Sequence, residues 1–357
     1  MRRALTPFWL TTTSRLAGLS QRTARIGLAV FALLLASLSA VTLLPGQADT
    51  GFNAGVVDGV RHGGNYYAVA ADALRGGGYP LKPVFAFALP TLTVVQAHLP
   101  PALVTALLYA LAGAVAMAWH ARLVPALATV AARTTATALL LLALLPMLRT
   151  GLLVVPDVWA GLFVALSLAL RRPGQWLDAV ALALAAALIR ETAILYLLIM
   201  AVFAWAEGAR REPLGWALAI LIFLLAYVAH AHAVSEVVRP LDAAADPFAL
   251  AGLGLFVGAA AGSTVLALLP LWIAAPVVAV ALFGWAAWND PAGLRALAVF
   301  AGLAILIDVF GRNDTPHWAL LSAPLLLPGL VFAVEGVRDL IAAARDGRRI
   351  TVTRIIR

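Results

Sequence analysis

The chain has 357 residues, 63% of them hydrophobic and only 12% charged, with 25 basic residues against 17 acidic ones. A soluble domain carries about 25% charged residues, so this composition excludes a soluble globule, and the absence of cysteine removes disulfides and thiolate metal sites. The net charge of +8 does not argue for nucleic acid, because the arginines punctuate apolar runs instead of forming a basic domain.

Those runs are continuously apolar and rich in Leu and Ala, which predicts an all-α, polytopic bundle of transmembrane helices and not the alternating short strands of a barrel. Met1–Arg25 is polar with five arginines, and Ile26–Leu44 is an apolar segment that resembles a signal peptide but reads as an uncleaved first helix. A long polar segment follows over 46–100. Further spans are expected at roughly 101–119, 126–148, 155–170, 176–190, 191–206, 214–233, 264–288, 294–311 and 317–337. The whole chain then forms a single integral-membrane domain ending in a basic tail over 338–357.

The stretch 176–206 decides the topology. As one helix it would bury Arg190 and Glu191 at mid-membrane and reverse every later loop. As two short helices it gives ten spans and places both termini, both arginine pairs (Arg171/Arg172 and Arg210/Arg211) and the basic tail on one side. Short cytoplasmic loops collect Arg and Lys, so the ten-span reading is adopted, with both termini cytoplasmic; the Leu/Ala-rich, Arg-over-Lys composition without cysteine suggests a bacterium, and hence its inner membrane.

The opposite side then holds the segment 46–100, the segment 149–157, the turn at Arg190–Glu191, the loop 234–262 and the turn Gly311–His317. The cytoplasmic loops are short and carry neither a Walker A sequence nor a GxGxxG turn. Any active face is therefore expected outside.

Asp58 opens the polar segment, where position alone favours a solvated loop Asp or a helix cap, while a carboxylate in a partly desolvated cleft would suit a general base. Asn65–Leu74 reads as a short helix capped by Asn65, with Tyr66 and Tyr67 at its start and Gly76–Gly78 at its end, lying in the interface. Arg61, Arg75, Lys82 and Arg149 are basic groups on the less basic side, as an anionic lipid headgroup would require. Arg190 and Glu191 are adjacent ionisable residues between apolar segments, which are costly unless they line a polar cavity or pair with each other. Asp308, Arg312, Asn313, Asp314 and His317 cluster at the outer end of a span, with Asp308 and Arg312 in helical register. Asp157 follows Pro156 and suits a helix start. His62, His98, His230, His232 and His317 show no convincing metal-ligand spacing, and no metal is assigned.

The layout resembles the GT-C superfamily of polytopic glycosyltransferases. The carrying features are a first helix followed by a long outer segment with an early Asp, the run YYAVAADALRGGGYP, the RET break at Arg190–Thr192, and the late turn RNDTPHWALLSAP. The resemblance implies a cell-envelope enzyme that takes a sugar from a polyprenyl-phosphate donor. Asp58 would be the catalytic base in an inverting displacement, with Arg61, His62, Tyr66, Tyr67, Lys82, Arg190, Glu191 and Arg312 about the substrate and its phosphate, and Asp157 and His317 as further candidates. It implies no resident cofactor, only the lipid-linked donor as substrate and membrane lipids as partners. Where many relatives carry an Asp before the tyrosines this chain has Asn65. Two alternatives therefore stand beside the enzyme: a transporter or flippase of a lipid-linked or small anionic substrate, and a non-catalytic membrane partner subunit.

Overall fold

A computed structural model of the chain describes residues 14–39, 50–245, 248, 252–311 and 316–345. Among them every regular element is a helix, and the only β pairings are two isolated bridges. Five helices are long and apolar enough to cross a membrane, Gln21–Leu38, Pro101–Ala126, Val130–Leu148, Glu212–Val237 and Pro291–Phe310, which is consistent with a membrane protein.

Among the described residues a 3₁₀ turn, Arg15–Gly18, precedes the first α-helix, α1 (Gln21–Ser39). The segment expected as a polar loop is itself largely helical, with α2 (Thr50–Arg61), α3 (Tyr66–Gly76) and α4 (Thr91–His98). In α2, Phe52, Val56 and Val60 recur at helical spacing; Val56 is buried, and the other two pack partly buried against its cluster. Asp58 therefore sits in the last turns of a helix and not at the start of a loop. Asn65 caps α3 as expected, its side-chain oxygen accepting from the Tyr67 and Ala68 amides at 3.0 and 3.4 Å.

The bundle continues with α5 (Pro101–Leu123), α6 (Val130–Leu144), α7 (Pro156–Leu170), α8 (Leu177–Ile189), α9 (Ile194–Ala206) and α10 (Glu212–Val237). The 176–206 stretch is thus two helices. Arg190 is extended between them (φ −139°, ψ 118°), and a single 3₁₀ turn, Glu191–Ala193, starts the return. The remaining elements are α11 (Leu253–Gly262), α12 (Leu271–Ala287), α13 (Pro291–Phe310), α14 (Ala323–Leu326) and α15 (Leu330–Arg345).

Three boundaries differ from expectation, two of them at prolines. The loop 234–262 contains α11. The helix expected from 264 begins at Leu271, because Thr264 nucleates a 3₁₀ turn and Pro270 lacks the amide a continuing helix needs. The span expected at 317–337 is broken into the 3₁₀ turn Pro316–Leu321, α14 and the 3₁₀ turn Leu327–Gly329, where Pro324 and Pro328 interrupt the ladder. Beyond Pro328 nothing stops the helix, so α15 runs through Arg345 into the stretch expected as tail; the rest of that tail lies outside the described residues.

Ion pairs fix which helix ends meet. Arg171, at the end of α7, binds Glu207, after α9, and Glu212, at the start of α10, at 2.8–2.9 Å. Arg295, near the start of α13, binds Glu207 as well, and Arg122, ending α5, binds Asp290 at 3.0 Å. The Ser14 amide donates to Asp339 at 2.8 Å, and Arg25 donates to the Ala344 carbonyl. The described N- and C-terminal segments therefore lie together at this arginine-rich end. The opposite end carries α2–α4 and the Arg190 turn.

Close packing relies on glycine at the broken span. A Cβ on Gly284 of α12 would fall 1.8 Å from the Gly329 carbonyl oxygen, and one on Gly329 would fall 2.3 Å from that of Ala281. Backbones approach this closely only where side chains are absent. Fully buried Trp119 and Trp285 place their indole N–H groups on the Ala165 and Leu325 carbonyls at 2.9 and 2.8 Å, so neither polar tip is stranded.

Candidate functional site

Arg190 is the centre of a buried charged group. Its Nε donates to Asp157 Oδ1 at 3.1 Å, its Nη1 lies 3.0 Å from Glu191 Oε1, and its Nη2 lies 3.4 Å from His317 Nε2. Asp157 stands in the first turn of α7, where the helix dipole favours a carboxylate. It does not cap that helix, because the oxygen turns to Arg190. The extended backbone at Arg190 ends α8 and lets the guanidinium reach back across to α7. Since an arginine only donates, its contact with His317 assigns the Nε2 lone pair to the acceptor role.

Tyr66 joins this group from α3. Burial, followed by the negative charge of Glu191, pushes its hydroxyl well above the ordinary tyrosine range. The phenol donates to the Ala88 carbonyl at 2.5 Å. Tyr67, beside it, faces α10: its hydroxyl lies 3.2 Å from Nδ1 of buried His230, whose Nε2 lies 3.3 Å from the Phe87 carbonyl. A carbonyl only accepts, so His230 donates through Nε2 and accepts the Tyr67 O–H hydrogen bond at Nδ1. His232 is exposed, and the His230–Ala231–His232 pair does not share a site.

The sequence candidates therefore divide. Asp157, Arg190, Glu191, His317 and Tyr66 are brought together. Asp58 has its side chain 66% exposed and its carboxylate 3.6 Å from the equally open His62, whose Nδ1 hydrogen-bonds the Asp58 carbonyl at 2.9 Å. Three of the four basic candidates serve the protein itself. Arg61 donates to the Gln96 and Ala97 carbonyls at the end of α4, where a cation offsets the unpaired carbonyls of the last turn. Lys82 donates to the Pro240 carbonyl at 2.9 Å, while its backbone pairs with Ala243–Ala245. Arg75 grips Asp242 with two nitrogens at 2.9 and 2.7 Å and the Val237 carbonyl at the end of α10 at 2.8 Å. Arg149 is exposed. Arg312, with Asn313 and Asp314, lies outside the described residues.

Sequence reading passed over Gln96, Thr192 and Trp318. Gln96 Nε2 donates to the Leu153 carbonyl at 2.8 Å, and that carbonyl also receives the Trp159 indole at 2.8 Å. The one available signal was an amide in the mostly apolar run Leu92–Leu99. Among the described residues no group of three or more His, Asp or Glu gathers to hold a metal ion.

Compared with family models, with curated proteins and with solved structures, the chain matches none.

Proposed function

We propose that this protein is an integral-membrane glycosyltransferase that moves a sugar from a polyprenyl-phosphate donor to an acceptor hydroxyl, at the end of the bundle that carries Arg190. One observation carries the reading. Asp157, Arg190 and Glu191 are buried together where apolar helices meet the polar segment α2–α4, and ionisable groups retained inside such a bundle mark substrate or ion sites. The GT-C resemblance of the RET break, which is part of this cluster, supports the chemistry.

In this reading the chain crosses a bacterial inner membrane ten times and the Arg190 end faces outward. The contacts of Ser14 and Arg25 with α15 agree with an even number of crossings, and the arginine-rich end agrees with a cytoplasmic face. Helices α8 and α9 have thirteen residues each, roughly 20 Å at 1.5 Å per residue. That is short of a hydrocarbon core of ~30 Å, so the charged turn between them sits in a protein-lined depression.

The short, broken pair α8–α9 is also what a carrier of a lipid-linked anion would use, since transporters bind at interrupted helices. A single assay separates the two readings and addresses the acid. Membranes holding wild type, Asp58→Asn and Glu191→Gln at matched levels receive radiolabelled polyprenyl-phosphate sugars. The proposal expects transfer in wild type. Loss in Asp58→Asn alone keeps the base in α2, and loss in Glu191→Gln alone moves it to the buried cluster. Uptake or flipping of the donor without any transfer from wild type would overturn the enzyme reading in favour of the carrier.

A further inference from the structure

At the arginine-rich end, away from the Arg190 cluster, a cavity of about 280 Å³ opens between the end of α12, α15 and the segment that begins at Ser14. Trp288, Asn289, Phe332, Glu335 and Ser14 are among the residues that line it. One wall follows from sequence spacing. Phe332 and Glu335 stand three apart on α15 and so share a face. Trp288, the residue after α12, lies nearly parallel to Phe332, with ring centroids 4.6 Å apart and 13° between the planes. Both aromatic residues are more than nine-tenths buried, so this wall is packed and apolar. The space is close to the ~300 Å³ at which small-ligand sites begin, and one water of ~30 Å³ would fill little of it.

The charges about the cavity are unevenly matched. Asp339 is fully engaged. Its Oδ2 receives the Ser14 amide at 2.8 Å, and its Oδ1 receives Arg338 Nε and Nη2 at 3.1 and 3.0 Å. Arg15 is turned to the Ala286 and Asp290 carbonyls at 3.2 and 3.1 Å. The charges that bear on Glu335 are those of Arg338 and Asp339, which oppose each other. Among the described residues Glu335 forms no ion pair, although it is partly buried. A carboxylate in that position lacks the compensation that burial demands.

That combination selects the chemistry of a ligand. Glu335 would repel an anion. A neutral apolar molecule would displace water from the carboxylate and return nothing. A metal ion would find one carboxylate beside aromatic rings, where hard cations want several oxygens, and no group of three or more His, Asp or Glu gathers among the described residues. A positive nitrogen carried on carbon suits both surfaces, since a charged donor binds a carboxylate strongly and aromatic rings attract organic cations. We infer that this cavity binds an organic ammonium ion, its charge against Glu335 and its carbon chain against Trp288 and Phe332. At a membrane surface such a group arrives on an aminophospholipid headgroup or on a soluble amine. The inference goes beyond the glycosyltransferase reading and does not depend on it.

The test uses the full chain in nanodiscs made only of phosphatidylglycerol, which carries no amine. Thermal unfolding is followed as ethanolammonium chloride is added, with sodium chloride and sodium phosphate at the same ionic strength as separate probes. The expected result is saturable stabilisation by ethanolammonium and by neither sodium salt, with apparent affinity weakened about tenfold in Glu335→Gln. That variant keeps the size of the side chain, and its midpoint without ligand reports whether it folds as wild type does. Glu236→Gln removes the same charge from an exposed position on α10 and should titrate like wild type. Discs containing phosphatidylethanolamine identify the source. A lipid-filled site raises the starting midpoint of wild type, but not of Glu335→Gln, and blunts the response to added amine; a site for soluble amines responds as before. Stabilisation shared by sodium chloride, or undiminished in Glu335→Gln, overturns the inference, as does the absence of any effect from both ethanolammonium and phosphatidylethanolamine.

Discussion

Arg190 Nε donates to Asp157 Oδ1 at 3.1 Å, and this one contact ties the break between α8 and α9 to the first turn of α7. The guanidinium also faces Glu191 Oε1 at 3.0 Å, so a single cation compensates two buried carboxylates. Removing one member of a buried ionic group leaves the others uncompensated, at a cost of about 3–5 kcal/mol. Arg190→Met is expected to lower the unfolding midpoint sharply. Adding Asp157→Asn and Glu191→Gln to it is expected to recover much of the loss, because no charge then remains buried alone. Unfolding of the three proteins in nanodiscs measures this, and a triple variant no more stable than Arg190→Met would refute charge compensation as the cluster's structural role.

The packing of α12 on the turn Leu327–Gly329 makes a steric prediction. A methyl group at Gly329 would meet the Ala281 carbonyl oxygen at 2.3 Å and the Trp285 ring at 2.8 Å, both backbone or fully buried. Gly329→Ala is expected to destabilise by about 1–3 kcal/mol or more, the range for overpacking a site that cannot relax. Gly113→Ala, where a Cβ meets nothing within 4 Å, serves as the control and should be neutral or slightly stabilising in its helix. Equal midpoints for the two variants would show that the helices separate at little cost.

Asp242 supplies a pH dependence whose sign follows from its partners. Hydrogen bonding from Arg75, and then from the Arg239 amide, holds its carboxylate well below the usual range. The native state thus binds fewer protons here than the unfolded chain, so the contribution is fully present above an ordinary Asp value of ~3.9 and is lost as pH falls further. Because Arg75 joins α3 to the end of α10, amides of α3 should exchange faster as pH drops from 5 to 2.5, after correction for intrinsic rates. In Asp242→Asn that protection should already be reduced at pH 5 and depend little on pH. An unchanged pH profile in the variant would assign the acid sensitivity elsewhere.

The orientation of the bundle is open to a direct chemical measurement, since the chain has no cysteine of its own. Arg210 is exposed at the arginine-rich end, and Leu241, 99% exposed, follows α10 at the other. In intact cells a membrane-impermeant maleimide should label Leu241→Cys and leave Arg210→Cys untouched until the membrane is opened. The reverse pattern would invert the proposed topology, and labelling of both would deny that α10 crosses.

The sequence by itself determined what depends on composition and short-range pattern. Apolar runs announced an all-helical chain with membrane-crossing helices, Asn65 announced the start of α3, and the adjacent charges of Arg190 and Glu191 announced a break that lipid could not tolerate in mid-helix. These are local demands, met by neighbours a few residues away. Tertiary structure alone decided which charges share a site. Arg61, Arg75 and Lys82 read equally well as ligands for an anion, but each finds a backbone carbonyl or carboxylate on an element distant in sequence, while Asp157 and His317 are carried to Arg190 from 33 and 127 residues away. Gln96 stood out only as an amide in a mostly apolar run and Trp318 not at all, because the partners of a polar atom are set by what packs around it. Only the packed bundle fixes those partners, since burial is what turns an unpaired hydrogen bond into a cost.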